Sequence, residues 1–138
     1  MSAIVMNIEN LHPFLDSQIS RIARNNVNCK EIFTLVFVKA KKELMLQALE
    51  VLKINLRDSD VIFFNQDHLF LVLPQTDSSG GLHIEEILKE FLNERKLCLT
   101  IATLNEHGKT KNELFDAIER VCQSSYEVNF KEDYYKNI

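Results

Sequence analysis

Cysteine is scarce in this chain, basic residues are outnumbered, and no apolar stretch is long. Each shortage removes a class of function. The three cysteines, Cys29, Cys98 and Cys122, are odd in number and widely spaced. That pattern fits reduced, buried thiols and not a disulfide framework. The four histidines, His12, His68, His83 and His107, show no zinc-ligand spacing with the cysteines or with one another, so no metal and no cofactor is expected. No apolar run approaches membrane-spanning length, and the opening MSAIVMNIEN lacks the basic region and cleavage site of a leader. A cytoplasmic protein without membrane contact is expected. With 16 Lys+Arg against 20 Asp+Glu the net charge is −4. This speaks against a general nucleic-acid binder, because phosphate recognition rests on clustered cations. The one basic spot, Lys39-Ala40-Lys41-Lys42, is short, and solvated charge is its ordinary explanation.

What remains is an ordinary globular composition, 46% hydrophobic and 26% charged over 138 residues, enough for one domain with a proper core. Residues 1–138 read as that single domain, its core at about 13–130. Residues before Asn10 read as a flexible lead-in or the tail of a preceding segment. Phe14, Leu15, Ile19, Ile22 and Ala23 recur at helical spacing after Pro13, which suits a first helical turn. The cluster Arg24-Asn25-Asn26-Val27-Asn28 should stop that helix. Ile32 to Val38 is nearly continuous in β-branched and aromatic residues, the mark of a strand buried on both faces. The period then changes: Leu44, Met45, Ala48, Leu49, Leu52 and Leu56 share one helical stripe.

Val61 to Phe64 and Leu69 to Leu73 flank Asn65-Gln66-Asp67-His68 and read as a β-hairpin with an exposed tip, ending at Pro74. Gln75 to Gly81 carries turn residues and reads as a loop. A third amphipathic helix holds Ile84, Ile87, Leu88, Phe91 and Leu92 and ends near Glu94-Arg95. Leu97 to Leu104 is another strand. Thr110 and Glu113 form a capping box for a helix carrying Leu114, Phe115, Ile118, Val121 and Cys122. The last residues, from Tyr126, are expected to add an edge strand and fray. The order strand-helix-strand-strand-helix-strand is the split βαβ pattern. The expected fold is therefore α+β and ferredoxin-like, an antiparallel sheet with helices on one face, plus an N-terminal and a C-terminal helix.

The hairpin is preceded by Arg57-x-x-Asp60 and followed by Leu73-Pro74-x-Thr76. It resembles the signature hairpin of GGDEF domains, whose turn carries Gly-Gly-(Asp/Glu)-Glu-Phe and makes cyclic di-GMP from two GTP molecules. FTLVFV resembles the family's first strand, LTIATL its later Val-Thr-Ile-Ser-Ile-Gly strand, and NELFDAIERV its Glu-Leu-(x)4-Ala-Asp helix. The resemblance covers roughly Phe14 to Val121. It implies a bacterial signalling domain, but one from which the chemistry is missing. Active members hold magnesium with an Asp at the end of the first strand; here that end reads Val38-Lys39-Ala40-Lys41, and lysine repels a hard cation. The signature positions fall on Gln66 to Phe70, or on Asn65 to Leu69 when counted back from Pro74. Neither register contains a glycine pair, and only the second keeps an acid, Asp67, at the metal position. Lys39 to Arg57 also holds one helix where active members have two and a guanine-contacting segment. A degenerate, non-catalytic GGDEF-like module is expected, acting through a protein partner or self-association.

The alternative is a cyclic di-GMP receptor. In the family Arg-x-x-Asp binds that nucleotide, and an Arg fork can grip phosphate or a guanine edge while a carboxylate accepts from guanine. Arg57 and Asp60 are then the candidate ligands, with both side chains expected on one exposed edge. The remaining residues of the turn, Asn65, Gln66, Asp67, His68, Leu69 and Phe70, are read as a degenerate signature, and His68 beside Asp67 as a solvated pair. Ser78-Ser79-Gly80-Gly81 reads as a flexible loop ahead of a helix cap.

Overall fold

A computed structural model describes residues 3–25, 31–93 and 97–134. The expected turn at Asn26 to Asn28, Cys29, and Glu94-Arg95 lie outside the described residues, and the helix expected to end near Glu94-Arg95 stops at Leu92 with Asn93 as its left-handed cap. The elements in chain order are β1 (Ile4–Asn7), a 3-10 turn (Ile8–Asn10), α1 (Leu11–Asn25), β2 (Phe33–Lys39), α2 (Lys42–Asn55), β3 (Val61–Asn65), β4 (His68–Pro74), α3 (Ser78–Leu92), β5 (Cys98–Thr103), α4 (Lys111–Tyr126) and α5 (Phe130–Asp133).

One sheet runs β1-β3-β4-β2-β5. Its last four strands pair antiparallel in the split βαβ order, as the alternation of strands and helical stripes requires. β2 lies between two neighbours and buries all its side chains as far as Val38, which explains why that stretch is apolar at every position but Thr34. Alternation then sorts the core. Phe37, Phe63, Phe70, Phe115 and Phe130 meet on the face covered by the terminal helices, while Val36, Leu71, Leu52 and Leu88 meet on the face covered by α2 and α3. The two crossover helices thus share one face, and α1, α4 and α5 cover the other.

The lead-in is not flexible in this structure. Ile4–Asn7 adds a parallel edge strand against β3, and the following 3-10 turn seals it by burying Ile8. At the other end the chain forms α5 and not an edge strand. Phe130 and Tyr134 both turn inward, and the Asp133 and Tyr134 amides donate to the Asn129 and Phe130 carbonyls four residues back, the bonding of a helical turn. The Ser-Gly stretch is likewise not a loop. The Asp77 carboxylate accepts the Ser79 and Gly80 amides at 3.1 and 3.2 Å and so starts α3 at Ser78. A Cβ on Gly81 would come within 2.9 Å of Ile101 Cγ2 and 3.2 Å of Thr34 Cγ2, so glycine is needed there for close helix–sheet approach. α4 starts as expected, with the Thr110 hydroxyl accepting the Glu113 amide. No described helix is long and apolar enough to cross a membrane.

Candidate functional site

The two segments singled out by sequence occupy opposite ends of the β3–β4 hairpin. At the entry, Leu56 caps α2 and Arg57 follows it; Asp60 immediately precedes β3. The two side chains close on each other. Arg57 Nη2 donates to Asp60 Oδ1 at 2.8 Å and Nε to Oδ2 at 3.3 Å, and the Arg57 backbone N–H reaches Oδ2 at 2.8 Å. Nη2 also donates to the Pro74 carbonyl and the Thr76 hydroxyl. Arg57 is 53% exposed, but Asp60 only 3%. The hydrogen bond to Asp60 raises the Arg57 pKa against the opposing effect of burial. The expected pair on one exposed edge is therefore not what the chain builds. Asp60 closes on Arg57 at the helix end, and Arg57 Nη2 carries the tie on to the β4 exit at Pro74 and Thr76, work that a turn-forming Asp-Ser-Asp does not announce. A shallow cleft of about 220 Å³ beside the pair is bounded by Thr76, His83, Ile84 and Ile87.

At the hairpin tip the turn is two residues long, Gln66 and Asp67, because Asn65 pairs with His68. Strand register places Lys39 opposite His68 on one side and Cys98 on the other. Asn65, His68, Lys39 and Cys98 thus form one row across four strands. Gln66 is exposed and Asn65 and Asp67 half-buried, while His68, Leu69 and Phe70 are buried. Burial of His68 overturns the reading of a solvated pair. It lies two residues from Phe70 in β4 and so points to the same inward face, against Phe37, Phe70 and Tyr134, the last with ring centroids 4.7 Å away. The period-two alternation of His68, Phe70 and Val72 was the signal for this.

The His68 Nδ1–H is held by the Asp67 carboxylate at 2.9 Å, and Nε2 has no hydrogen-bond partner among the described residues. Burial lowers the His68 pKa, and Lys39 adds to this, while the Asp67 hydrogen bond opposes it. The sign for stability follows. As pH falls below the ordinary imidazole value of 6.5, the unfolded chain takes up a proton before the folded one does. Stability is then whole above that pH and declines below it, until the folded pKa is passed. Thermal midpoints between about pH 7.5 and pH 5 should fall more steeply in the wild type than in His68→Phe. His12, also lowered by burial, leaves a residual slope in both. Parallel curves would show that His68 is not the titrating group.

Beyond Lys39 opens a cleft of about 410 Å³ lined by Lys39, Lys41, Leu44, Cys98, Tyr126 and Val128. Among the described residues two cations line it and no carboxylate does. Lys39 Nζ sits 5.9 Å from the Tyr134 ring centre. Magnesium, which the resemblance implies for active members, does not fit here: the strand end supplies an ammonium, and the Asp67 carboxylate is engaged by His68. Among the described residues no three His, Cys, Asp or Glu side chains gather as a metal site.

No family model matches the chain, and no curated protein matches its sequence. Solved structures do match. A DGC protein from Thermotoga maritima superposes with a TM-score of 0.67 at 17% identity, covering 86% of this chain and 94% of that one. The diguanylate cyclase SiaD from Pseudomonas aeruginosa, solved in complex with its activator SiaC, superposes with a TM-score of 0.57 at 12% identity. There the match covers 86% of this chain and 55% of SiaD, so the chain spans about half of that protein. The fold of this chain is the GGDEF-like fold of diguanylate cyclases.

Proposed function

We propose that this chain is a non-catalytic diguanylate-cyclase-like domain of bacterial cytoplasmic signalling, residues 1–138 forming one domain that works through contact with a protein partner or a second copy. The observation that carries the reading is the pair of lysines at the end of β2. Lys39 ends β2 at the position where the resemblance calls for a metal-binding acid, and it shares its cleft with Lys41. A divalent ion brought there meets, among the described residues, two ammonium groups and no carboxylate. The turn Asn65-Gln66-Asp67-His68 offers side chains where the family has glycines, and its last residue is committed to the core. That SiaD was solved with an activator protein supports protein contact as a use of this fold.

The closed Arg57–Asp60 pair weighs against the receptor alternative, since the Asp60 carboxylate and the Nε and Nη2 donors of Arg57 are already bonded within the chain. Incubation with GTP and magnesium or manganese is expected to yield no cyclic di-GMP. Product above a heat-killed control would overturn the non-catalytic reading. Calorimetry with cyclic di-GMP is expected to show no heat at high micromolar ligand. Heat that disappears in Arg57→Ala would establish the receptor reading in its place.

A further inference from the structure

His68 is 2% exposed, and its Nε2 finds no hydrogen-bond partner among the described residues. What closes over it is the segment that follows α4. That helix ends at Glu127, whose backbone is left-handed, and the chain turns back into α5. Tyr134, directly after α5, sets its ring edge-on to the imidazole, with 4.7 Å between centroids. The same ring receives Lys39, whose Nζ lies 5.9 Å from its centre. The walls around His68 differ in what they can give. Its backbone pairs with Asn65 on one side and Lys39 on the other, so two strands clamp it. α5 is only four residues long. Its start is anchored: Phe130 packs on Phe37, Phe70 and Phe115, and Lys131 is held by Glu119 and Asp116 of α4. Its far end carries Tyr134.

The geometry points to Tyr134 and the last turn of α5 as an acid-released latch, which swings off the sheet when His68 takes up a proton while Phe130 stays seated. The neutral ring donates Nδ1–H to Asp67 and leaves Nε2 as a bare acceptor. Protonation turns Nε2 into a donor facing aromatic rings, and a buried donor without an acceptor loses its hydration uncompensated. The charges around the ring set the balance. β2 supplies the Lys39 ammonium, which opposes a second cation, and the turn supplies Asp67, which favours one. β3 offers only the uncharged Asn65, and the Cys98 thiol of β5 stands beyond Lys39. α5 brings Tyr134 with Asp133 beside it, and from α4 the carboxylates of Asp116 and Glu119 are turned to Lys131. Burial outweighs the Asp67 hydrogen bond, so the imidazolium is disfavoured while the latch is closed. Lifting Tyr134 lets water reach Nε2 and returns the ring to its ordinary value of 6.5. Below that pH each further unit multiplies the open-to-closed ratio by up to about tenfold, until the closed form is itself protonated. The same movement takes the Tyr134 ring off Lys39 and releases that ammonium beside its cleft.

The test follows backbone amide exchange in the full chain by NMR, corrected for the intrinsic pH dependence of exchange. The reporters are the Asp133 and Tyr134 amides, which donate to the Asn129 and Phe130 carbonyls. Phe37 and Leu71, in paired strands, are the controls. Between about pH 7.5 and pH 5, protection of the two reporters should fall by about tenfold while the strand amides keep theirs. In His68→Phe the reporters should stay protected throughout. Tyr134→Ala opens the site at every pH, so its His68 ring should titrate near 6.5, above the wild-type ring. Unchanged reporter protection in the wild type would overturn the proposal, as would an equal fall in His68→Phe or a fall shared with the strands. So would a His68 that titrates in Tyr134→Ala where it does in the wild type.

Discussion

Phe37→Ala is expected to cost about 3–5 kcal/mol of folding stability, the range for emptying a buried aromatic site. Phe37 is fully buried in β2, between β4 and β5. Its ring meets Phe70 at 5.1 Å, Phe130 at 4.8 Å and Tyr134 at 5.4 Å between centroids. Phe37 and Phe70 belong to two strands locked in register, so the strand side of the site cannot collapse around the void, and the residual cavity adds to the lost transfer energy. The α5 side is the only wall that can give. α5 is four residues long, and outside its own turn it is tied to α4 through Lys131, whose ammonium pairs with Asp116. The loss should therefore come with earlier protease cleavage near Phe130. Phe37→Leu, which keeps most of the volume, should cost less than about 1.5 kcal/mol. Urea unfolding with an unchanged slope would give both numbers. A loss below about 1 kcal/mol for the alanine variant, far under the range for a buried aromatic, would show that α5 does not cover this face.

The same face shows what sequence could and could not supply. β2 was legible because a strand buried on both faces has nowhere to put a polar residue, and Phe33 to Val38 contains only Thr34, whose hydroxyl is held by Thr103 and the Thr76 carbonyl. The α2 stripe was legible in its centre, where Met45, Ala48 and Leu52 are buried, and less so at its flank, where Leu49 is half-buried. β1 was not legible. Four residues carry too little alternation, and the parallel pairing of Ile4 with Val61 joins segments far apart in the chain. Asp77 was read as a loop residue because Asp, Ser and Gly serve loops and helix starts equally; only the bonds to the Ser79 and Gly80 amides decide between them. α5 was not legible, because Phe130 and Tyr134, four residues apart, share a face in a strand as well as in a helix, and β-prone residues surround them. The candidate site divides the same way. That Lys39 ends a strand could be read from composition, but that His68 and Cys98 stand beside it depends on register, which no single segment encodes.

Arg57→Ala is expected to destabilise the chain by about 1.5–3 kcal/mol, the range for hydrogen bonds to a charged group. An exposed Arg with no buried partner would contribute far less, about 0–1 kcal/mol. The difference is Asp60, of which 3% is exposed. Without the guanidinium its carboxylate keeps the Arg57 backbone N–H at 2.8 Å, but it loses two charge-assisted bonds and its only ion-pair partner among the described residues. A charge left in a poorly solvated position is costlier than the bond itself. Since Arg57 is half-exposed, water reaches the vacated side, and the loss should stay below the 3–5 kcal/mol of a fully enclosed pair (about that range). Asp60→Ala removes the carboxylate and frees the Arg57 guanidinium to solvent, so its cost comes mainly from the orphaned Arg57 amide and the loosened entry to β3. Removing both partners should cost less than the sum of the two single changes. A coupling of about 1 kcal/mol or more in that double-mutant cycle would mark a closed structural pair. If Arg57→Ala unfolds at the wild-type urea midpoint, the guanidinium is not holding Asp60 in solution, and the pair is open to an outside ligand.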